Sequence, residues 1–454
     1  MLPKPPANTQ PNLFQPPLRD MLDSNDPLIA LADTINWGTF DESFAGYYSD
    51  EGRPAKPIRL MVGLLILKQL ENLSDENVVL QWKRNPYYQY FCGRTEYQPS
   101  LPCDPTDLVY FRNRIGKEGA EEIFAMSVGL HGKEAEEKQV IVDTTVQEKN
   151  ITYPTDGKLA IKMIHYLHKI AKEEKIQLRR TYVKEIKAHR IKLRFFRHPK
   201  KIKKAHAAMK RLRTITGILI RDLTRKMNEA QLEHYQETFE LFLKVSSQKQ
   251  KDSNKIYSLH EQHIYAIAKG KDHKKYEYGT KASIVMTKQS GIIIGVAAHE
   301  TNTHDSKTLE AALTHANTHR TKPIQEAICD RGYRGKKEVK GVTICIPGTP
   351  LKRDTKYQKE QKRKKFKRRA AIEPVIGHLK SDHRLSRNYL KGFIGDEVNL
   401  LLAAAAFNLK KWMNHFLVLL FVYKILLLST LLMRIKPEKR RKYAGLYLML
   451  YRLW

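Results

Sequence analysis

The hydrophobic and polar positions of the chain divide it into a helical first part and a mixed second part. Between residues 58 and 82 the apolar side chains recur every three or four positions, which predicts two short helices joined by a tight turn around Asn72. Ser74 is the predicted N-cap of the second helix. The pair resembles a helix-turn-helix, in a helical N-terminal DNA-binding domain predicted for residues 28–132, after a flexible, Pro-rich lead at 1–27.

The pattern then changes to short apolar runs that alternate with helical periods. The runs QVIVD and AICD each end on an acid, Asp143 and Asp330, and two β-type runs flank a turn at 289–291. An amphipathic helix follows, with Asp305 as its predicted N-cap. The order of strand, insertion, strands, helix, strands and helix predicts an α/β core over residues 133–413.

A basic helical insertion interrupts this core at about residues 158–255. Its first part, 158–226, contains 23 lysines and arginines against four acids, which is typical of a surface that follows a polyanion or of a solvated helical arm. A second basic run at 352–369 has 11 Lys or Arg in 18 positions. It leads into a predicted helix that carries Glu373.

The C-terminal region, residues 414–454, is predicted to form a hydrophobic and then basic helix. Residues 416–433 contain one charge, Lys424, in 18 positions, which is the lower length limit for a membrane span. A charge near the middle of a span is costly in lipid, so a buried or dimer-forming helix is favoured over a membrane anchor.

Composition adds a strong charge to this picture. The 454 residues include 81 Lys and Arg and 48 Asp and Glu, which gives a formal net charge of +33. Such an excess repels itself unless a polyanion neutralises it, and nucleic acid is the commonest such partner. Four cysteines without a Cys-x-x-Cys pair, and an N-terminus without an apolar signal core, favour a cytoplasmic protein over a zinc-bound or disulfide-bonded one.

Three acids are the candidates for catalysis. Asp143 and Asp330 directly follow apolar strands, and if those strands are neighbours both carboxylates lie at one sheet edge. Like charges so placed need a proton or a cation between them, and oxygen ligands favour Mg²⁺ or Mn²⁺. Glu373 is the third candidate, and two ions about 3.5–4 Å apart can bind both the attacking and the leaving oxygen of a phosphodiester. The spacing alone leaves ordinary capping and ion pairing open.

Four motifs resemble those of DDE transposases from bacterial insertion sequences, namely VDTTVQ, TYPTD, CDRGYRG and RRAAIEPVIGHLKSDHRL. The resemblance covers most of residues 20–413. It includes the family's Y-R-E-K signature, since Arg369 lies four positions before Glu373 and Lys380 seven after it. The Tyr of that signature is replaced by Phe366, so any contact made by the Tyr hydroxyl would be absent.

The resemblance implies a fold, a chemistry and a set of partners. The fold would be an RNase H-like mixed α/β sheet with flanking helices, interrupted by the basic insertion and preceded by the all-α domain. Asp143, Asp330 and Glu373 would bind two Mg²⁺ or Mn²⁺ ions and catalyse DNA strand cleavage and strand transfer at the ends of an insertion sequence. Further cations of these motifs would contact DNA: Arg331, Arg334, Arg369, Lys380 and Arg384.

The expected partners follow from the same resemblance. They are the terminal inverted repeats and the target DNA, bound by a homodimer on paired ends in the bacterial cytoplasm, in association with the nucleoid. Two other functions stay open at this point. A catalytically inactive, domesticated or decayed relative would still bind DNA, and Phe366 favours it while the intact acids argue against it; a membrane-tethered basic protein is the other.

Overall fold

The computed structural model describes residues 16–49, 51–52, 54–249, 252–271, 274–335, 337–346, 348 and 351–434. Most of the predicted lead, and the basic end of the predicted C-terminal helix, lie outside these residues. The α-helices of the described part are α1 (Leu18–Met21), α2 (Pro27–Thr34), α3 (Trp37–Ala45), α4 (Ile58–Leu70), α5 (Asp75–Arg84), α6 (Pro86–Phe91), α7 (Pro105–Gly129), α8 (Asp156–Glu173), α9 (Val183–Lys192), α10 (Ile202–Thr224), α11 (Glu229–Ser247), α12 (Asp305–Thr318), α13 (Lys356–Arg369), α14 (Ile372–Ser381) and α15 (Gly392–Arg434). The strands are β1 (Gln139–Glu148), β2 (Tyr265–Lys271), β3 (Lys274–Thr287), β4 (Ile293–His299), β5 (Glu326–Ile328), β6 (Glu338–Val339) and β7 (Val342–Cys345).

The two helices predicted from the first apolar stripe are α4 and α5. Ser74 caps α5, because its hydroxyl accepts a hydrogen bond from the Asn77 backbone N–H at 3.2 Å. Asn72 in the connecting turn has a φ of 54°, a left-handed conformation that Asn tolerates better than most residues. Both the N-cap and the position of the turn are therefore confirmed.

The seven strands form one mixed sheet in the order β2-β3-β1-β5-β7-β6, with β4 paired to β3. The strand β1 is antiparallel to β3 and parallel to β5, and β5 is parallel to β7. Gly279 of β3 approaches β1 so closely that a Cβ would collide with the Gln147 carbonyl oxygen. The central position of β1 puts Asp143 between an antiparallel and a parallel neighbour. A mixed sheet with flanking helices is consistent with the expected RNase H-like α/β fold.

Several element boundaries differ from the prediction. The strand β1 continues to Glu148, so Asp143 lies in the middle of this strand and not at its end. The N-cap of α12 is His304, whose side chain accepts from the Ser306 N–H, and Asp305 is the first helical residue. The basic run is itself helical, as α13, and ends before α14, the helix that carries Glu373. The helix predicted to begin at residue 414 begins at Gly392.

Buried apolar side chains form two separate clusters. The first joins the N-terminal helices, the sheet and α15, and includes Trp82, Ile141 and Leu401. The second lies within the helical insertion, where α8, α10 and α11 contribute residues such as Leu167, Leu212 and Phe242. The insertion therefore buries its apolar side chains in a core of its own, separate from the core that contacts the sheet.

The helix α15 is the one described helix that is long and apolar enough to cross a membrane, over Gly392–Leu427. Most of the apolar window is buried inside the protein, 72% of it by residue. A buried core helix passes the same test of length and composition, and α15 packs against α4, α7 and β4. The first half of α15 is therefore a core helix. Further along, the helix extends beyond the core, because six apolar side chains of the segment predicted to be buried or dimer-forming are exposed: Val418, Leu419, Val422, Tyr423, Leu426 and Leu427.

Candidate active site

The register between β1 and β5 places Asp143, in the middle of β1, level with Asp330, which follows the end of β5. Ile141 pairs with Ile328, the last residue of β5, and each aspartate lies two residues further along the chain. Both side chains are half-buried. Burial raises the pKa of the neighbouring Cys329 thiol, and the negative charges of Asp330 and Asp143 raise it further. Both carboxylates therefore act on one buried group.

Each aspartate is oriented by the backbone that follows it. Asp143 Oδ1 accepts a hydrogen bond from the Thr144 N–H at 2.7 Å, and Asp330 Oδ1 accepts from the Gly332 N–H at 2.8 Å. A Cβ at position 332 would lie 3.0 Å from Asp330 Oδ1, so the residue that binds this carboxylate has little space for a side chain. The CDRG sequence therefore forms a tight turn in which the Gly332 N–H binds the carboxylate of Asp330.

Glu373 lies on the first turn of α14, which packs against β1. Side chains alternate across a strand, so Asp143 shares a face of β1 with Gln147, whose amide donates to the Asp396 carbonyl of α15 at 3.0 Å. Glu373 itself is 62% exposed and forms an ion pair with Arg369 at 3.2 Å. The helix that carries Glu373 therefore contacts the strand that carries Asp143.

The three carboxylates do not form a compact group. Among the described residues, one set of three potential metal-binding side chains has its ligand atoms within 4.8 Å of one another, and it consists of Glu121, His315 and His319. The structure places Asp143 and Asp330 each two residues beyond the last β1–β5 pair and leaves Glu373 at the surface, held by Arg369 across the α13–α14 junction.

The five predicted DNA-binding cations differ in their surroundings. Arg331 and Arg334 are exposed on the turn that follows Asp330. Arg369 is largely covered and pairs with Glu373, while Lys380 lies half-buried on α14. Arg384 is engaged within the protein, because its guanidinium donates to the Asn72 carbonyl at 3.2 Å and lies 5.6 Å from the Tyr389 ring centroid.

Sequence reasoning missed a polar group on the opposite face of β1. Asp305 Oδ1 accepts from Lys281 Nζ at 2.9 Å and from Thr144 Oγ1 at 3.1 Å. Burial and the Lys281 charge lower the pKa of the adjacent His299 to about 4, so this imidazole is neutral at pH 7. The HDS sequence at the start of α12 was interpreted only as a cap, and its partners come from β1 and β3, which no local pattern specifies.

The set of Glu121, His315 and His319 joins α7 to α12. Glu121 Oε1 lies 2.6 Å from His315 Nε2 and 2.5 Å from His319 Nε2. His315 Nδ1 accepts the Val296 N–H at 3.0 Å, so a neutral ring carries its proton on Nε2, directed at Glu121. A nitrogen that carries this proton is not a metal ligand, and Mg²⁺ prefers oxygen donors. The set is therefore a hydrogen-bonded clamp between two helices.

We expect Glu121→Gln to flatten the acid dependence of stability. Burial raises the Glu121 pKa, but hydrogen bonds from His315 and His319 outweigh it and lower the pKa from 4.5 to about 2. A lowered native pKa stabilises the fold above the unfolded value and is lost as the pH falls from about 5 toward 2, here up to about 3 kcal/mol. Urea unfolding at pH 7, 4 and 2.5 measures this loss, with Glu118→Gln as the control. An unchanged pH dependence in Glu121→Gln would contradict the clamp.

Comparison with known proteins finds matches to two transposase domains. A family model described as "Transposase domain (DUF772)" matches residues 16–114, and one described as "Transposase DDE domain" matches residues 246–409. The second range includes Asp330 and Glu373, whereas Asp143 lies between the two ranges. No solved structure matches the chain.

One curated relative is described as "Uncharacterized protein ORF8 in nfe locus" from Rhizobium meliloti. It is 40% identical over 204 residues, which is 44% of this chain and 98% of the relative. The match to a transposase DDE domain supports a nuclease or transposase type of enzyme. The chain belongs to the DDE transposases of the insertion-sequence type.

This membership implies a divalent metal ion, typically Mg²⁺. The donor chemistry fits, because Asp143, Asp330 and Glu373 offer only carboxylate oxygens, the ligands that Mg²⁺ prefers. The charges of the two half-buried aspartates both act on the buried Cys329 thiol, and a cation bound near them would offset those charges.

Proposed function

We propose that this chain catalyses metal-dependent DNA strand cleavage and strand transfer at the ends of an insertion sequence, with Asp143, Asp330 and Glu373 as its catalytic acids. The observation that supports the proposal is the β1–β5 register, since each of the first two acids lies two residues beyond the pair Ile141–Ile328. Glu373 completes the set from α14, a helix already in contact with β1. Two Mg²⁺ or Mn²⁺ ions bound there would stabilise the charge that develops on the attacking and leaving oxygens.

The protein's own groups hold the substrate for this reaction. Arg331 and Arg334 extend into solvent from the turn after Asp330, where they can bind phosphates on either side of the reacting bond. Arg369 pairs with Glu373 in the free protein and can exchange that carboxylate for a phosphate when Glu373 turns toward a cation. Lys380 lies on the same helix as Glu373. The substrate strand would thus be fixed in line for attack.

Arg384 has a different role in this proposal. Its guanidinium binds the turn between α4 and α5, so it connects the signature region to the helix pair of the N-terminal domain. Loss of this contact would alter how the two parts present their DNA-binding surfaces. We therefore propose that Arg384 acts through the position of that turn as well as through phosphate.

DNA bound as paired ends would also contact the helical insertion. Between α9 and the start of α10 the described residues include one acid, Glu185, which pairs with Arg211 at 2.6 Å. In the same segment every Lys and Arg is exposed, and none has an ion-pair partner among the described residues: Lys184, Lys187, Arg190, Lys192, Arg194, Arg197, Lys200, Lys201, Lys203 and Lys204. We call this segment, residues 183–204, the basic tip. An unneutralised surface of this density favours a phosphate backbone over solvent alone.

Neutralising the basic tip should weaken DNA binding and its salt dependence together. Each lost phosphate contact lowers the slope of log K against log salt by about 1, so replacing Lys200, Lys201, Lys203 and Lys204 with Gln should lower it by up to about 4. Fluorescence anisotropy with duplex DNA between 50 and 300 mM salt measures the slope. The matched control replaces four exposed lysines of α8 with Gln: Lys158, Lys162, Lys169 and Lys172. Equal slopes in the two variants would show that the basic tip does not bind DNA.

The experiment that tests the proposed chemistry is Mg²⁺-dependent nicking of DNA that carries the element's ends. A catalytically inactive DNA-binding relative would bind this DNA and leave it uncut. The presence of Asp143, Asp330 and Glu373 favours the active enzyme. Homodimers on paired ends would appear as a doubled protein mass on DNA that carries two ends.

A further inference from the structure

Asp305 binds the side chain of Thr144 and lies close to Gly332, two residues that follow Asp143 and Asp330 in the chain. Its Oδ1 accepts the hydroxyl of Thr144, the residue that directly follows Asp143. Its Oδ2 lies 3.1 Å from where a Cβ of Gly332 would be, and Asp330 Oδ1 lies 3.0 Å from the same point. One carboxylate therefore packs against the two residues whose N–H groups bind Asp143 and Asp330.

Lys281 keeps the Asp305 carboxylate in this place. Its Nζ donates to Asp305 Oδ1 at 2.9 Å and to the Thr303 carbonyl at 2.7 Å, and the lysine is 8% exposed. The cation neutralises Asp305, so the third acid near the edge adds little repulsion to Asp143 and Asp330. A carboxylate already paired with a lysine is also a poor competitor for a divalent cation.

We propose that Asp305 is a positioning residue that fixes the orientation of Asp143 and Asp330 through Thr144 and Gly332. The proposal rests on the function proposed above, since it concerns the same two acids. Asp305 is on α12, which follows β4, and it bridges β1 to the turn after β5. The three elements are distant in sequence. The β1–β5 ladder is only three pairs long, so Asp305 adds a contact that holds β1 beside the turn after β5.

Metal binding without DNA tests this role. Loss of a group that orients a ligand typically costs 10- to 100-fold in metal affinity, so Asp305→Ala should raise the Kd for Mn²⁺ by about tenfold or more in calorimetric titration of the full chain. Asp305→Asn keeps an oxygen for Thr144 and Lys281 and should recover most of the affinity. The matched control is Asp156→Ala, because Asp156 is also the first residue of a helix, pairs with Lys255 at 2.8 Å and has the same 29% side-chain exposure.

Each outcome separates the roles that Asp305 can have. A Kd in Asp305→Ala equal to that of wild type, with near-UV circular dichroism unchanged, would overturn the proposal. Equal losses in Asp305→Asn and Asp305→Ala would overturn it too, because they would make Asp305 a direct ligand. Should Asp305→Ala not fold, Thr144→Val removes only the hydroxyl and should raise the Kd in the same direction; an unchanged Kd there would overturn the proposal.

The variant Asp143→Asn separates this proposal from the one it rests on. Wild-type Mn²⁺ affinity in Asp143→Asn would contradict the assignment of the metal site, and with it the proposed function. Weakened binding in Asp143→Asn together with wild-type binding in Asp305→Ala would leave the catalytic acids in place and reject only the positioning role.

Discussion

Asp143→Asn is expected to lower the rate of Mg²⁺-dependent strand cleavage by on the order of a thousandfold or more, which corresponds to about 4 kcal/mol of transition-state stabilisation. The asparagine oxygen can still accept the Thr144 N–H, so the strand should keep its conformation. The variant loses one of the two negative charges with which Asp143 and Asp330 would bind a cation. Glu373→Gln should give a loss of similar size.

Supercoiled DNA carrying two ends, incubated with the full chain and Mg²⁺, measures this effect as the rate of nicked product. Anisotropy on the same DNA should show that affinity changes by less than about threefold, because the phosphate contacts come from cations elsewhere. Asp382→Asn is the matched control, since that exposed carboxylate pairs with His378 away from the strands. Cleavage by Asp143→Asn at the wild-type rate would refute the assignment of this acid.

Asp396→Ala is expected to be among the most destabilising single changes in the chain. Asp396 is fully buried, and its oxygens bind Lys149 Nζ at 2.6 Å and His263 Nε2 at 3.0 Å. Lys149 follows β1 directly and is itself 4% exposed, so removal of the carboxylate leaves its ammonium buried with only Glu261 at 3.4 Å to balance it. Breaking a buried pair in this way costs about 3–5 kcal/mol.

Urea unfolding followed by circular dichroism measures this cost as a lower free energy of unfolding. The comparison is Asp382→Ala, which breaks a surface pair with His378 and should cost less than about 1 kcal/mol. Since Lys149 ties the end of β1 to α15, cleavage by the Asp396 variant should fall as its folded fraction falls. A cost no larger than that of Asp382→Ala would show that this network contributes little.

The local parts of the structure followed from the sequence. The N-cap Ser74 and the antiparallel strands around residues 289–291 depend on neighbouring residues, and both are confirmed. The two aspartates could be found because a charge directly after an apolar run is unusual, although Asp143 proved to lie within β1 rather than at its end. Their side-by-side placement needed the β1–β5 register, which is set by contacts between residues far apart in the chain.

The parts that the sequence did not predict depend on long-range packing. Asp305 looks like a cap because Asp often precedes a helix, and only the approach of Thr144 and Lys281 shows its other contacts. The sequence places the start of the C-terminal helix at 414 and not at Gly392, because it cannot show that one part of a helix is buried and that the next extends beyond the core. The α13–α14 break, at two alanines, has no Gly or Pro to announce it.

The ends of the helical insertion meet, and this bears on how the sheet can form. Lys255 Nζ lies 2.8 Å from Asp156 Oδ1, and Arg213 donates to the Gln248 carbonyl at 3.0 Å, so the segment leaves the bundle beside the point where it enters. Closing a flexible loop costs entropy that rises with its length, by about 0.6 kcal/mol per doubling. Because the two ends of the helical bundle already lie together, pairing β1 with β3 does not require closure of a long flexible loop. The insertion between these strands can therefore change in length without weakening their pairing.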